Sequence, residues 1–320
     1  MARSRERKGF LFNYLPYDER TPDNQYRDLL SLILRKGEQV SPRQEEDALM
    51  VFGHQMRFAL ANGFPIITER DLVSAPDGKS SQFTLALAEL VAFLHGARTQ
   101  EELKSFGVGY WSRWVTPEKC AKRGLPAGDL GPGSYGPAWR SFPTESGRPF
   151  DQITHLIEQI KELPNLRTHF VSPWIPHYLG RGKGKEQKVV VVPCHGWFHA
   201  YVNPERKELS LHHFQRSADV PVGLVFNFIQ YAALTLMLAQ VTGYRAKELV
   251  YTISDAHIYR KQMADVLEMV AASNDHPGRF PSVIINDPKI HDIFDFRPEH
   301  FRVDGDYHPK LPRRVIWTPV

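Results

Sequence analysis

Cysteine is scarce: Cys120 and Cys194 are the only two in 320 residues. Cys120 sits in the charged loop Glu118-Lys119-Cys120-Ala121-Lys122 and Cys194 among strand formers, so a disulfide framework is excluded as an organising device. Long apolar runs are missing too. The nearest, Phe83–Leu94 and Phe226–Val241, are broken by polar residues and fall short of the roughly 18 apolar residues that suggest a membrane span. The basic start Met1-Ala2-Arg3-Ser4-Arg5-Glu6-Arg7-Lys8-Gly9 is followed by no sustained apolar region and reads as a solvated tail, not a secretory signal. Strong charge of one sign is absent as well. A formal net charge of +4 suits an anionic small molecule at least as readily as nucleic acid, which usually needs a concentrated basic stripe. Internal repeats and low-complexity linkers are lacking. These absences point to a cytoplasmic enzyme with no membrane partner, no nucleic-acid partner and no metal.

What is present is ordinary for a globular chain. Hydrophobic residues make up 42% and charged residues 24%, which allows one large domain or two small ones. Tyr26, Leu29, Leu30, Ile33 and Leu34 form one stripe at helical spacing, opened by Thr21-Pro22-Asp23 and stopped at Gly37. Met50–Leu60 reads as a strand, and Ser74–Ser81 as a loop. Phe83–His95 reads as an apolar helix ended by Gly96, followed by a capping box at Thr99 and Glu102. Val115–Pro132 has the composition of a surface insertion. Asp151 is placed to cap a helix carrying Ile153, Leu156, Ile157 and Ile160. Phe170-Val171-Ser172 is strand-like, and Gly180–Lys185 is a flexible basic loop. Helices are expected over Phe226–Val241 and His257–Val270, with a short strand at Ser282–Ile285.

The chemistry is concentrated between Val189 and Tyr259. A run of β-branched residues enters Pro193-Cys194-His195 and a period-two segment leaves it, which places Cys194 at the junction of two strands. Gln215-Arg216-Ser217-Ala218-Asp219, Gly223-Leu224-Val225-Phe226-Asn227 and Ser254-Asp255-Ala256-His257-Ile258-Tyr259 follow. A cysteine nucleophile acts as thiolate, and Arg216 offers a stabilising field. The same guanidinium presents a rigid fork suited to phosphate. His257 and Tyr259, two apart on an extended segment, share one side and suit a ribose hydroxyl. Glu89 lies on the inward face of its helix, where burial raises a carboxyl pKa toward neutrality and equips it for proton transfer.

This ordered set resembles the thymidylate synthase family, whose signature includes the Pro-Cys-His nucleophile, the Gln-Arg-Ser-x-Asp turn, Gly-Leu-x-Phe-Asn and Asp-x-His-x-Tyr. The likeness extends through Phe52-Gly53-His54-Gln55-Met56-Arg57-Phe58, Glu89-Leu90 with Phe93-Leu94-His95-Gly96, Tyr135-Gly136 with Trp139-Arg140, Asp151-Gln152-Ile153, and Val171-Ser172 with Trp174. It covers most of the chain from about Arg43. The fold it implies is a single α/β domain, a mixed, kinked sheet covered by helices, over 21–320 after an N-terminal tail at 1–20.

The resemblance implies attack of Cys194 on C6 of a pyrimidine nucleoside monophosphate, so that C5 takes a one-carbon unit from 5,10-methylenetetrahydrofolate. Most simply this converts dUMP to dTMP. The alternative is a pyrimidine nucleotide hydroxymethylase using the same intermediate, and a further one is a non-catalytic nucleotide- or RNA-binding homologue. By the same resemblance Glu89 orders a water and proton path, Tyr135 is linked to removal of the C5 proton, and Trp111 and Asp219 contact the folate ring. Gln215, Arg216 and Ser217 join the substrate site, Ser217 as in enzymes acting on deoxynucleotides. Arg43 and Arg167 join Arg216 at the phosphate, Arg167 from the second subunit of a homodimer with shared active sites. Two departures bear on that phosphate. Thr168 stands where a second arginine is common, and Gln44-Glu45-Glu46-Asp47 replaces a Gly/Thr-rich loop, so phosphate binding weakens or moves unless Lys183, Lys185 or another base compensates. Asn227 stands where the family reads the pyrimidine edge. Its amide matches the N3–H and O4 of uracil, an aspartate there suits cytosine, and the plain alternative is that it caps its helix.

Overall fold

The computed structural model describes residues 14–41, 46–76, 78–274 and 277–320. Its strands in chain order are β1 (Glu38–Val40), β2 (Ala48–Ala59), β3 (Phe170–Val171), β4 (Trp197–Asn203), β5 (Glu208–Asp219), β6 (Arg245–Tyr259), β7 (Ser282–Ile285) and β8 (Phe301–Asp304). The helices are α1 (Gln25–Lys36), α2 (Gln82–Leu94), α3 (Gln100–Ser105), α4 (Pro117–Ala121), α5 (Tyr135–Arg140), α6 (Gln152–Glu162), α7 (Pro176–Leu179), α8 (Gly223–Thr242) and α9 (Met263–Ser273). Six strands form one mixed sheet in the order β1-β2-β6-β5-β4-β3, and β7 pairs with β8 apart from it. Only β5 and β6 run parallel, because α8 makes the crossover between them; the other pairs are antiparallel.

Helix α8 is apolar on every side and is long and apolar enough by composition to cross a membrane, yet it is the buried core helix between the sheet and α2. The sheet's other face is open. Along β5 the side chains alternate: His213 stacks on Tyr231 of α8 and Gln215 bonds Asn227, whereas His212 bonds Thr252 and Phe214 packs on Trp197. By that period Gln215, Ser217 and Asp219 fall on the covered side and Arg216 on the open side. This division positions the site.

Local signals explain most boundaries. Thr99 and Glu102 form the expected capping box, Asp151 caps α6 through Ile153 and Thr154, and Gly37 ends α1. Three expectations need correction. Val189–Val192 is no strand: its backbone is spent on a loop, with the Val190 N–H donating to Leu130 O at 3.0 Å, and β4 starts only at Trp197. Residues 257–259 are extended, since Tyr259 is still registered against Ala48 of β2; a 3-10 turn at Arg260–Gln262 follows, and α9 begins only at Met263. The 115–132 insertion is more than surface: it contains α4, and Cys120 is fully buried with Sγ 3.5 Å from Asp129 O. Near the N-terminus, Arg20 is buried and donates to Phe280 O at 2.8 Å, so the last tail residues pack on the fold.

Candidate active site

Cys194 lies in the loop that enters β4. Gly196, at φ 107°, turns that loop into the strand, and a Cβ there would also crowd Pro173 at 3.0 Å. The main-chain N–H of Cys194 donates to the Tyr135 hydroxyl at 2.9 Å. Arg216 reaches the same loop from the open side of β5. Its Nε donates to Pro193 O at 2.7 Å, its Nη2 to Val192 O at 2.8 Å, and Nη2 stands 3.2 Å from Cys194 Sγ. The fork therefore grips the loop and sets positive charge against the sulfur. Burial pushes the Cys194 thiol up; Arg216 opposes this, Asp255 adds to it, and Arg181 of the basic loop pulls it down.

On the covered side, Ser217 Oγ donates to Asp255 Oδ2 at 3.0 Å, and Asp255 Oδ1 meets His257 Nδ1 at 2.9 Å. The carboxylate orients the ring through Nδ1, and Nε2 is buried without a partner among the described residues. Burial raises Asp255, but the hydrogen bond and charge of His257, with Ser217 and Arg216, hold its carboxyl below the usual range. Tyr259 stands edge-on to His257 and to Trp317, with ring centroids 4.8 and 5.8 Å away. His257 and Tyr259 thus share one side of β6, as their spacing predicts.

Glu89 is buried, with Trp111 Nε1 reaching Oε1 at 2.5 Å and Gln230 Nε2 reaching Oε2 at 2.7 Å. Burial raises its pKa against hydrogen bonds from Tyr110, Trp111 and Gln230. Asn227 sits in the second turn of α8, which begins at Gly223 after Val222, so it does not cap the helix. Asp219 accepts from Gln262 Nε2 at 2.9 Å and from Thr318 Oγ1 at 2.7 Å, and burial pushes its carboxyl up. Because Gln262 also donates to Trp317 O at 2.8 Å, the C-terminal segment is pinned beside that carboxylate.

Cys194, Tyr135, Arg216 and Gln215, Ser217, Asn227, Glu89, Trp111, Asp219, His257 and Tyr259 all join this network. Arg167 does not: it is exposed in the loop before β3, outside the Cys194 cluster. Arg43, with Gln44 and Glu45, lies outside the described residues. The acids after it are neutralised, with Glu46 2.8 Å from Lys261 Nζ and Asp47 3.5 Å from Arg260 Nη2. Among the described residues no group of three or more His, Cys, Asp or Glu is arranged to hold a metal ion.

Several members were not legible beforehand. Gln230 had a signal, a polar side chain three residues after Asn227 in an otherwise apolar helix. His195 looked like part of the nucleophile motif, but its Nδ1 is 2.6 Å from the Tyr231 hydroxyl, and burial, then Arg216, push its pKa down to about 3. It is neutral near pH 7 and holds the loop on α8. Gln262 carries no sequence signal at all.

The sequence model of one protein family, thymidylate synthase, matches residues 24–316. The chain belongs to the thymidylate synthase family. Every site residue above from Glu89 to Tyr259 falls within that match, and the mixed sheet covered by helices is the family's single-domain α/β fold. As a thymidylate synthase family member, the chain is a methyltransferase-type enzyme of nucleotide biosynthesis that transfers a one-carbon unit to C5 of a uridine nucleotide with a folate. Asp219 has chemistry that would fit such a group: it is a half-buried acceptor whose carboxyl is pushed up by burial, which N–H donors such as those of a pteridine ring would relieve.

Proposed function

We propose that this enzyme methylates dUMP to dTMP, with 5,10-methylenetetrahydrofolate as donor and Cys194 as the nucleophile at C6. The observation that carries the reading is the 3.2 Å contact between Arg216 Nη2 and Cys194 Sγ, which puts the anion-binding fork and the nucleophile side by side. Among the described residues Nη1 is left for a phosphate oxygen. Attack of the thiolate on C6 pushes the ring electron pair toward O4 and makes C5 nucleophilic. The N–H of Asn227 opposite O4 stabilises that charge, and buried Glu89 holds or releases a proton near it. Tyr135, oriented by the Cys194 N–H, stands beside the carbon that loses its proton. His257 Nε2 meets a sugar hydroxyl. The folate, when bound, supplies the one-carbon unit and the hydride that completes a methyl group.

Methyl is favoured over hydroxymethyl by the C-terminal segment. Thr318 and the Trp317 carbonyl are tied to Asp219 and Gln262, so the chain end is anchored over the folate carboxylate, where it excludes the water that would quench the intermediate. The enzyme works as a homodimer. The open face of the sheet carries Trp197 against Phe214 and Trp174, with exposed Tyr201 and Phe170 beside them, and Arg216 emerges on that same face. A second copy packed there covers the aromatic patch and brings its Arg167 to the phosphate, while Arg181 offsets the cation lost at Thr168.

Mass spectrometry of products from dUMP, UMP, dCMP and CMP with methylenetetrahydrofolate tests the reading, together with tritium release from C5-labelled dUMP. dTMP is expected, and Cys194→Ser should bind nucleotide yet lose turnover and C5 exchange. Near-normal exchange by the serine variant, or a hydroxymethyl product, would overturn it.

A further inference from the structure

Asn227 is clamped between two glutamines. Its Oδ1 accepts from Gln215 Nε2 at 3.0 Å, and its Nδ2 donates to Gln230 Oε1 at 2.8 Å. Each glutamine is in turn oriented from outside. Gln215 Nε2 also donates to Ser217 O at 3.0 Å, while its Oε1 accepts from the Tyr251 hydroxyl. Gln230 Nε2 donates to Ala86 O at 3.2 Å and to Glu89 Oε2 at 2.7 Å. Exposure is 2% for Gln215, 1% for Gln230 and 5% for Asn227, so water does not substitute for these partners. Main-chain carbonyls only accept. Neither glutamine can turn over without setting its own carbonyl oxygen against another acceptor, and the polarity of the Asn227 amide is dictated from both sides.

We propose that Gln230 is a positioning residue for base choice, which fixes the Asn227 carboxamide in the orientation that complements uracil and rejects a carboxylate at that position. The inference rests on the reading of Asn227 as the group facing the base. After its two internal bonds, Asn227 keeps one acceptor lone pair and one N–H, which match N3–H and O4 of uracil. An aspartate at 227 instead sets an oxygen against Gln230 Oε1, acceptor to acceptor. Turning Gln230 over removes that conflict and creates two others, with Ala86 O and with Glu89. Asn227→Asp alone, the exchange that the sequence suggests should favour cytosine, therefore loses uracil without gaining cytosine. Freedom at position 230 has to come with it.

Dissociation constants for dUMP and dCMP, measured by calorimetry on full-length protein in a Cys194→Ser background, test this without requiring turnover. The parent is expected to favour dUMP by about tenfold or more. Gln230→Met, similar in volume but with no acceptor, should cut that ratio about fivefold or more. Gln230→Glu, which keeps an acceptor for Asn227 and shares a proton with Glu89, should hold it within about threefold. Asn227→Asp should weaken dUMP about tenfold with dCMP little changed, and Asn227→Asp with Gln230→Met should bind dCMP about tenfold better than Asn227→Asp alone. An unchanged ratio in a natively melting Gln230→Met overturns the inference, as does Asn227→Asp inverting the preference by itself. The latter comparison decides the matter even where Gln230→Met fails to fold. A parent that prefers dCMP overturns the base reading, and this inference with it.

Discussion

Replacing Arg216 with glutamine should move the reactivity of Cys194 to higher pH. The guanidinium lies 3.2 Å from Sγ and opposes a burial that pushes the thiol up. A unit charge at that separation stabilises a thiolate by about 5 kcal/mol at an effective dielectric of about 20 and by about 1 kcal/mol in bulk water. The loss of thiolate at neutral pH is then roughly tenfold to a few thousandfold. A thiolate of higher pKa is also the better nucleophile, with a Brønsted coefficient of about 0.5, which returns about half of that on a logarithmic scale. The net slowing of alkylation near pH 7 is thus roughly three- to sixty-fold. Iodoacetamide labelling across pH, with Cys194 and Cys120 peptides separated by mass spectrometry, reads the effect. The sign is fixed: the variant's profile shifts upward in pH, and its plateau at full ionisation exceeds the parent's by about three- to sixty-fold. Arg216→Lys, which keeps charge but loses the fork on Pro193 and Val192, should fall between. A profile superposing on the parent, with the fold intact, would refute the idea that Arg216 tunes the sulfur.

Four further outcomes are expected. Glu69 is buried and its carboxyl is pushed up to about 7, so the folded chain holds a proton that the unfolded chain releases near 4.3. Its contribution is full below about pH 4 and lost as pH rises through about 7, so Glu69→Gln should gain about 3 kcal/mol on the parent between pH 4 and 8 by denaturant titration; a pH-independent difference would contradict this. Thr318→Val removes one tether on Asp219 and should raise the hydroxymethyl or hydrolysed fraction of product; an unchanged product ratio would separate the chain end from water exclusion. Cys120→Ser should leave kcat unchanged but cost about 1–2 kcal/mol of stability, because a hydroxyl replaces a fully buried thiol. Mixed dimers of Arg167→Ala with Cys194→Ser should recover activity that neither parent variant has, and absence of recovery after confirmed subunit exchange would argue for a self-contained phosphate site.

The clustering of the candidate site was legible because the four motifs name side chains whose chemistry depends on type: a thiol, a guanidinium, a carboxamide, an imidazole. The core was legible because α1, α2 and α8 carry their own periodic or continuous apolar patterns and caps. Failures occurred where partners decide the outcome. Val189–Val192 has strand composition, but its neighbour in space is the loop at Leu130, so no ladder forms. The residues after His257 have helical composition, yet pairing with β2 keeps them extended to Tyr259. Cys120 looked exposed because its neighbours are charged, although the short helix turns the sulfur inward. Gln262 and Tyr231 contribute through contacts many residues distant in sequence, which no local pattern encodes.

Strand alternation on β5 has a mechanistic consequence. Gln215, Ser217 and Asp219 point into the chain, where α8, β6 and the C-terminal segment complete their hydrogen bonds. Arg216, between them, points out of the sheet and bends back onto the Cys194 loop. On the proposed reading, base and sugar meet a largely buried, hydrogen-bonded lattice whose orientation is set within one chain. On the same reading, the phosphate meets the Arg216 fork on the face that the chain leaves uncovered. Errors in the buried lattice are costly because each unmatched donor or acceptor there loses about 1–3 kcal/mol, whereas a phosphate cation on the open face is replaceable by another cation of adequate reach. That asymmetry explains how the chain tolerates Thr168 in place of a second arginine while it retains Gln215, Asn227 and the Asp255–His257 pair. It also locates the control of base choice in side chains such as Gln230, which touch the reader and not the substrate.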